Sequence, residues 1–571
     1  MPSPIHSRIS PKQLVSSPVT RAIALCSALF AFIGAVTWHI NLPGLYMDAV
    51  NPDYMTVDVI HGVSANTPIW YLPGNLLFHR IPLLSSIYHG TLNLWLALPF
   101  VALFGPSVAT LRFAQATAGI AILALMFLLL RDPRTRMPWL AWLATIALAL
   151  DPVFVYAFRT QLYIQICPVA LLFGAIFIGA RAFTSGATPE NRKRRLLLAG
   201  LFYGLSIFGY FIFGFFAPAL LGALFFACNR NGTPFFRMLA WAGLGFTLGM
   251  SGYALGYYQI MRAEGGVHGF FEFFAQYQHS LGAFQKHRSL IDTLPYFANL
   301  IERIFSNGWQ HSLMFGKDTP QPAYVWKLTL LLALPPTLWV ICEWRAQSSW
   351  LLRLGVALCV SYPLFGLLFG DRLSGHHFVV LLPLAYLTLA AGLIALSRDT
   401  LIQPFVTPAA ALVLLTLITI DAIGLRFTDD ELLRTHGRGL FSDAITRFAK
   451  DAIALPDHDR QYYVLPDWGL FTPFHFLTDA RIAHATDLDP QRIREKLCAG
   501  KRVTVALIDG DVPTRLRELT NRLKTAEPDL LPYRDQEGKT VFTAAAFDRY
   551  ASAAVRQETC TKDIVPANTP P

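Results

Sequence analysis

NLPGLYMDAVNPDYMTVDVIHG, residues 41–62, directly follows the first apolar segment of the chain and contains Asp48, Asp53 and Asp58. The segment before it, residues 22–40, is a run of about 19 mostly apolar residues, and a helix of that length crosses about 30 Å of hydrocarbon. Ionisable side chains near a membrane are costly, so they are the first candidates for function. The stretch therefore predicts a membrane protein whose reactive groups lie just outside its first span.

The composition is typical of a polytopic membrane protein. Of 571 residues, 54% are hydrophobic and 15% are charged, whereas a soluble domain carries about 25% charged residues. The formal net charge of +10 comes from Lys and Arg that cluster between apolar runs, and such clusters set the orientation of membrane proteins. The sequence contains no zinc-finger spacing and no P-loop. Nucleic acid is therefore not expected as a partner.

We predict an α-helical polytopic membrane protein with about eleven transmembrane helices, because that count places every basic cluster on one side of the membrane. The predicted spans are residues 22–40, 113–130, 139–158, 164–183, 197–213, 214–228, 239–258, 326–343, 351–369, 378–396 and 405–425. Residues 1–21 are then cytoplasmic, and residues 22–425 form the membrane domain. The two long extracytoplasmic loops are residues 41–112 and 259–325. The apolar run 92–104 is too short to span and is predicted to lie at the interface or to re-enter.

The last segment, residues 426–571, is predicted to be a small extracytoplasmic α/β domain. Helical patterns alternate there with short β-like runs such as RVTVALID. Cys498 and Cys560 lie in this segment, and they either pair in an oxidising compartment or remain two free thiols. No pair of cysteines forms a CxxC motif, so the sequence does not support a metal or redox site.

Asp48 and Asp53 are the candidate catalytic residues. Asp48 lies a few residues beyond the first span, and Asp53 follows within NPD, a turn-forming tripeptide. A carboxylate outside the cytoplasm can take the proton of an acceptor hydroxyl as a general base. The structural alternative for each residue is a helix cap or a solvated loop charge.

Arg159, Arg372, His376 and His377 are the candidate phosphate contacts. Arg159 follows the third span, and the other three lie in GDRLSGHHF, before the tenth span. Arg can bind phosphate through charge-assisted hydrogen bonds, although Arg159 can instead extend to the lipid headgroups. Carboxylates and cations on one outer face of a helical bundle indicate a lipid-linked phosphate substrate.

Two stretches resemble the class C glycosyltransferases, whose nearest groups here are the protein O-mannosyltransferases and the lipid A aminoarabinose transferases. YHGTLNLWLALPFVALFGPSVATLRFAQATAGI, residues 88–120, is similar to the pattern PPLYYWL…LFG.S…AR of that family through Trp95, Phe104, Gly105, Ser107 and Arg112. DRLSGHHFVVLLPLAYLTLAAGL, residues 371–393, is similar to a late helix start written RY..P..P, with His377 and Phe378 in place of Arg-Tyr. The resemblance covers about residues 20–400.

The resemblance implies an inverting transfer of a hexose or pentose from a polyprenyl-phosphate donor to a glycan, lipid or protein outside the cytoplasm. Asp48 matches the Asp of an Asp-Glu pair, with Ala49 in place of the Glu, and is the implied base; Asp53 is its helper or alternative. Tyr88 and His89 stand where some members have an acidic-basic pair. His89 and Arg112 are then expected on the acceptor side of the loop. A divalent metal on Asp48 and Asp53 is compatible with this site, but nothing in the sequence requires a cofactor.

Other functions and locations stay open at this point. A transporter or flippase of lipid-linked saccharides would carry inverted repeats and helices broken at the midplane, and the sequence shows no repeat between its halves. An O-antigen ligase or polymerase would place its functional residues in a large late loop. A structural protein would depend on its C-terminal domain alone. We expect the inner membrane of a bacterium, although the endoplasmic reticulum fits the same topology.

Overall fold

The computed structural model describes residues 18–46, 49–62, 76–77, 81–131, 139–160, 166–184, 186–282, 289–347, 349–508, 510–548 and 560. Most of these residues are helical. The helices up to residue 282 are α1 (Pro18–Thr37), α2 (Thr56–His61), α3 (Leu92–Phe104), α4 (Val108–Leu130), α5 (Trp139–Leu150), α6 (Pro152–Thr160), α7 (Ile166–Ala182), α8 (Pro189–Gly209), α9 (Ala217–Arg230), α10 (Phe235–Gly249), α11 (Ser251–Ala263) and α12 (Val267–Gly282).

The helices of the second half are α13 (Leu290–Phe305), α14 (Gly308–Phe315), α15 (Tyr324–Leu328), α16 (Leu334–Trp344), α17 (Trp350–Gly366), α18 (Gly375–Phe378), α19 (Leu381–Leu396), α20 (Gln403–Thr435), α21 (Ala444–Ala454), α22 (Phe471–Leu477), α23 (Pro490–Cys498) and α24 (Val512–Leu523). Short 3-10 turns at Asp53–Met55, Phe211–Phe216 and Gly370–Arg372 connect several of them.

Helices occupy each of the eleven predicted spans. Within the described residues, six helices are long and apolar enough to cross a membrane, and eight segments qualify if the bent pairs α5–α6 and α10–α11 each cross once. Three of the eleven predicted spans do not meet these limits. Two of them, α7 and α17, have only 17 residues each, and the third, α8, carries the basic cluster in its first turns. The chain is therefore a multi-pass membrane protein.

Two helices extend beyond their predicted ends. α8 begins at Pro189 because Thr188 caps it by accepting a hydrogen bond from the Asn191 N–H, so the basic cluster is helical and does not form a separate loop. α20 has 33 residues and runs about ten residues past the predicted end at 425, supported by pairs such as Arg426 with Asp430 at 2.9 Å. The membrane domain and the C-terminal domain are thus joined by one continuous helix.

Within its described residues, the first loop contains two small hairpins and two short helices. The strands are β1 (Leu76–Leu77), β2 (Ile81–Pro82), β3 (Leu84–Ser86) and β4 (His89–Gly90), paired antiparallel as β1–β2 and β3–β4. The 3-10 turn Asp53–Met55 leads directly into α2, and α3 has the bounds of the short apolar run predicted at 92–104.

The C-terminal domain is α/β, as predicted. Its strands are β5 (Gln461–Val464), β6 (His484–Ala485), β7 (Arg502–Ile508), β8 (Asp529–Arg534) and β9 (Thr540–Phe547), in the order β6-β5-β7-β9-β8. β6, β5 and β7 are parallel, while β9 pairs antiparallel with β7 and β8. Cys498 and Cys560 form a disulfide, which resolves the alternative left open by the sequence.

The C-terminal domain and the first loop share one hydrophobic core. Buried apolar side chains from the first loop, from α3 and α4, and from the C-terminal domain form a single cluster; they include Val50, Tyr54, Met55, Leu94, Leu111, Phe448, Tyr463, Phe474 and Phe542. Because burial of apolar surface is the main favourable term in association, the domain is packed firmly onto the loop that carries the candidate catalytic residues.

Candidate functional site

Two arginines hold the turn between the first span and the candidate catalytic residues. Arg112, in the first turn of α4, donates hydrogen bonds to the carbonyls of Ile40 (2.5 Å) and Pro43 (2.6 Å), and its Nε donates to the Arg159 carbonyl at 2.8 Å. Arg159 donates to the carbonyls of His39 (2.6 Å) and Leu42 (2.8 Å). Both guanidinium groups are buried, so they fix the path on which the first loop leaves the membrane.

Arg159 is also linked to the extension of α20. Its Nη1 lies 3.8 Å from Oδ1 of Asp429, and the Tyr156 hydroxyl donates a hydrogen bond to the same carboxylate oxygen. Only Nη2 of Arg159 is hydrogen bonded to the backbone carbonyls; among the described residues, its Nε and Nη1 are buried without a hydrogen-bond partner. The assignment of Arg159 as a phosphate contact stays a prediction, and its observed partners give it a positioning role.

The Arg112 contacts lead to a prediction about stability. Arg112→Met is expected to lower the free energy of unfolding by about 3 kcal/mol, because it leaves buried carbonyls without their charged donor. Thermal unfolding of the purified protein in detergent checks this. The matched control is Arg194→Met, at an exposed position of α8, for which a change within about 0.5 kcal/mol is expected. Equal midpoints for the two variants would contradict the structural role of Arg112.

Asp53 lies at the start of the 3-10 turn, fully buried against α4. Its Oδ2 accepts a hydrogen bond from the Gln115 side-chain amide at 3.0 Å, and its carbonyl accepts one from the Thr56 hydroxyl at 2.7 Å. Asp48, the first candidate for the base, lies outside the described residues. These two hydrogen bonds hold Asp53 against α4, a few residues along the chain from Asp48.

A cluster of histidines and tyrosines forms a second part of the site. His89 on β4 pairs with Tyr210, and their ring centroids are 4.1 Å apart. Tyr210 is hydrogen bonded to Nε2 of His377, whose ring lies against that of His376 at 3.9 Å. Among the described residues, Nε2 of His89 is buried without a hydrogen-bond partner, so it is available to a ligand atom.

The sequence explains why these rings meet. Gly90 allows β4 to lie directly on the end of α8, because a Cβ there would come within 2.4 Å of the Phe208 carbonyl oxygen. Ser374 caps α18 in a capping box whose third helical residue is His377, and the Ser374 N–H is hydrogen bonded to Nδ1 of His377 at 2.8 Å. His377 is thus oriented by the cap of its own helix.

His89 is uncharged at neutral pH. Burial, together with the neighbouring His376, lowers the pKa of His89 to about 3. The imidazole can therefore offer a hydrogen bond to an anion but no positive charge. Arg372, exposed on the 3-10 turn Gly370–Arg372 just before this cluster, is the charged member of the predicted phosphate contacts there.

The N-terminus of α7 is hydrogen bonded to both α3 and α8. The Cys167 N–H donates a hydrogen bond to Oδ1 of Asn93 on α3 at 2.9 Å, close in the chain to His89. On the other side, the Ser206 hydroxyl near the end of α8 donates to the Pro168 carbonyl at 2.8 Å. The structure therefore connects the Asn93 side of the first loop to the α8 end that leads into Tyr210.

A buried charge cluster was missed from the sequence. Lys327 on α15 lies 2.5 Å from Asp151 and 3.0 Å from Asp421, and all three side chains are fully buried. The Tyr386 hydroxyl is within hydrogen-bond distance of both carboxylates, at 2.8 and 2.5 Å. The available signal was the presence of Asp151, Lys327 and Asp421 inside apolar runs, because charged residues are rare in membrane spans.

Among the described residues, no group of three or more His, Cys, Asp or Glu side chains is placed to hold a metal ion. Asp48 lies outside those residues, and a metal on Asp48 and Asp53 stays a prediction.

Comparisons with known proteins were made for the whole chain. No family model and no curated protein matches it. Among solved structures, it is similar to ArnT from Cupriavidus metallidurans bound to undecaprenyl phosphate, with a TM-score of 0.57, 11% identity, and coverage of 95% of this chain and 99% of that chain. The apo state of ArnT from the same organism gives a TM-score of 0.56 at 12% identity, with coverage of 93% of this chain and 98% of that chain.

These matches run through the membrane bundle and the C-terminal domain together, and they confirm the fold that the two sequence stretches indicated. The chain is a multi-pass membrane protein with the class C glycosyltransferase fold.

Proposed function

We propose that this protein transfers a sugar from a polyprenyl-phosphate donor to an acceptor on the extracytoplasmic side of the membrane. The observation that carries the proposal is the fold, shared over 95% of the chain with an ArnT structure bound to undecaprenyl phosphate. The acceptor is a glycan, a lipid or a protein, and the sugar is a hexose or a pentose transferred with inversion.

In this proposal the first loop supplies the base. Asp48 takes the proton of the acceptor hydroxyl as that oxygen bonds to the anomeric carbon of the sugar, and the bond from the sugar to the phosphate breaks. Asp53 supports Asp48 or replaces it as the base. The donor phosphate leaves as polyprenyl phosphate, so its charge must be stabilised as the bond breaks.

The phosphate is proposed to lie against Arg372, His376 and His377, with His89 donating a hydrogen bond from its unpartnered nitrogen. Arg159 remains a further candidate, while Arg112 is proposed to act by holding the loop. Because neutral His89 offers a hydrogen bond but no positive charge, this site favours a monoanionic phosphodiester, which needs hydrogen bonds more than a large positive charge.

The proposed location is the inner membrane of a bacterium, with the N-terminus in the cytoplasm and the C-terminal domain in the periplasm. The Cys498–Cys560 disulfide supports this orientation, because such bonds persist in oxidising compartments.

The proposal is tested with purified protein in liposomes that contain undecaprenyl-phosphate hexoses or pentoses labelled in the sugar. We expect the label to leave the undecaprenyl-phosphate donor only when an acceptor is added, with release of undecaprenyl phosphate and appearance of a labelled acceptor. A parallel sample with chelator tests the need for a divalent metal. Retention of all label on the undecaprenyl-phosphate donor, with every donor and acceptor, would contradict the proposal.

A transporter of lipid-linked saccharides is the second candidate, because two helix pairs are bent by 50° and 46° at short breaks. Broken helices of this kind are common in transporters. In the same liposomes, a transporter would move the labelled lipid between leaflets without removing its sugar, and a leaflet-specific probe distinguishes the two outcomes.

A further inference from the structure

The C-terminal domain contacts the first loop at the turn that begins with Asp53, one of the two candidate catalytic residues. α22 packs on the 3-10 turn Asp53–Met55, and the ring of His475 lies edge-on to that of Tyr54 at 5.8 Å. His475 comes from the C-terminal domain, 417 residues from its partner Asp58 in the chain. The domain is therefore in direct contact with the turn that begins at Asp53.

A chain of hydrogen bonds crosses this interface. Oδ1 of Asp58 is 2.9 Å from Nε2 of His475, and Nδ1 of His475 is 3.0 Å from Nε2 of His484. Nδ1 of His484 is within hydrogen-bond distance of the Ile482 carbonyl oxygen. We call Asp58, His475 and His484 the loop relay.

The partners determine where the protons lie. A carbonyl oxygen only accepts, so Nδ1 of His484 carries a proton, and in the neutral ring Nε2 accepts. Nδ1 of His475 must then donate to His484, while Nε2 of His475 faces the Asp58 carboxylate at 2.9 Å. Neutral His484 thus orients the His475 ring toward Asp58.

We propose that His475 and His484 are positioning residues for sugar transfer: they hold Asp58 and, through the start of α2, the turn that carries Asp53, so that the C-terminal domain forms part of the transfer site. This inference rests on the proposed function for its catalytic consequence. A second contact supports it, because Nε2 of His61 lies 2.9 Å from Asp479 of the same domain. Asp58 and His61 are three residues apart and share one face of α2.

The relay depends on pH through His484. The ionisable groups that face the relay within the described residues are Tyr54, His61, Asp479 and Arg481, the last paired with Asp479 at 2.8 Å. Burial and the nearby His475 lower the pKa of His484 from 6.5 to about 4. A second proton on His484 would place two N–H donors against each other and break its bond to His475.

The sign of the effect follows from this lowered pKa. The pKa of His484 is 6.5 when the histidine is free and about 4 when it is docked, so docking favours the neutral ring. Its contribution to stability is therefore complete above pH 6.5 and is lost as the pH falls toward about 4. The relay therefore holds the loop at neutral pH and releases it in acid.

The test compares three variants of the full-length protein in liposomes. His484→Leu removes the acceptor for His475. His484→Gln keeps an acceptor oxygen but does not titrate. The control is His458→Gln, whose histidine lies on the surface of the same domain and contacts only the Ile453 carbonyl among its described hydrogen bonds. Amide hydrogen exchange of residues 53–61 is followed beside transfer kinetics.

His484→Leu is expected to lower kcat about 10–100-fold at pH 7 through misplacement of the loop, with the KM for the donor little changed and faster exchange at residues 53–61. His484→Gln is expected to keep the wild-type kcat and exchange at pH 7, and its activity should persist to lower pH than that of the wild type.

Wild-type kcat and exchange in His484→Leu would overturn the proposal, and so would an acid limb in His484→Gln identical to that of the wild type. The exchange measurement needs no substrate. If the wild type transfers no sugar, the proposed function fails, while faster exchange in His484→Leu still establishes that the relay holds the loop.

Discussion

Asp48→Asn is expected to reduce sugar transfer by about 10²–10⁴-fold, because the isosteric amide cannot accept the proton of the acceptor hydroxyl. Protein level and thermal stability should stay at wild-type values, since the substitution preserves size. Asp53→Asn is expected to have a smaller effect, about tenfold, because this buried residue is held by Gln115 and its amide can still be hydrogen bonded there. Initial rates with one labelled donor, at saturating acceptor, give both values.

The pair of variants distinguishes the two assignments. If Asp48→Asn transfers at the wild-type rate and Asp53→Asn is inactive, Asp53 is the base and Asp48 is not. Asp292→Asn serves as the control, because Asp292 is an exposed aspartate near the N-terminus of α13 in the second loop. Equal losses in all three variants would indicate a general effect of charge outside the membrane and would contradict a base in the first loop.

The order of the spans was predictable from the sequence because it depends on local properties. The length of each apolar run and the side on which basic residues collect are readable residue by residue, and α3 and the α/β tail were recognised in the same way. The extension of α20 to Thr435 was missed because its last turns are polar. The prediction ended the helix where the apolar run ends, at residue 425.

The parts of the site that the sequence did not predict depend on contacts between residues that are distant in the chain. Asp58 and His475 lie 417 residues apart, and Asp151 and Tyr386 lie 235 apart. Nothing in one sequence indicates that such residues meet, because their pairing follows from how the helices pack. Arg112 illustrates the consequence: the structure places its guanidinium against the carbonyls of Ile40, Pro43 and Arg159, contacts that its sequence motif did not indicate, and its role on the acceptor side stays a prediction.

The buried charge cluster connects the helices that carry the two parts of the site. Asp151 lies at the break between α5 and α6, where its Oδ1 accepts hydrogen bonds from the Val153 and Phe154 N–H groups and caps α6. Asp421 belongs to α20, which also carries Asp429, the partner of Arg159. Tyr386 belongs to α19, which follows the helix of His377. Lys327 on α15 therefore links the α5–α6 break to α20, and Tyr386 adds α19 to the same cluster.

Lys327→Met is expected to lower the free energy of unfolding by about 3–5 kcal/mol, because it leaves two buried carboxylates without their cation. Lys193→Met is the matched control: Lys193 pairs with Glu190 at 2.9 Å at the surface of α8, and loss of an exposed pair costs about 0–1 kcal/mol. Thermal unfolding in detergent measures both variants.

A double variant, Lys327→Met with Asp421→Asn, removes one of the two negative charges and is expected to recover part of the loss. Equal unfolding midpoints for Lys327→Met and Lys193→Met would show that the cluster does not hold the bundle together. If Lys327→Met lowers the midpoint and the double variant fails to raise it, the loss comes from packing around Lys327 and not from the unpaired carboxylates.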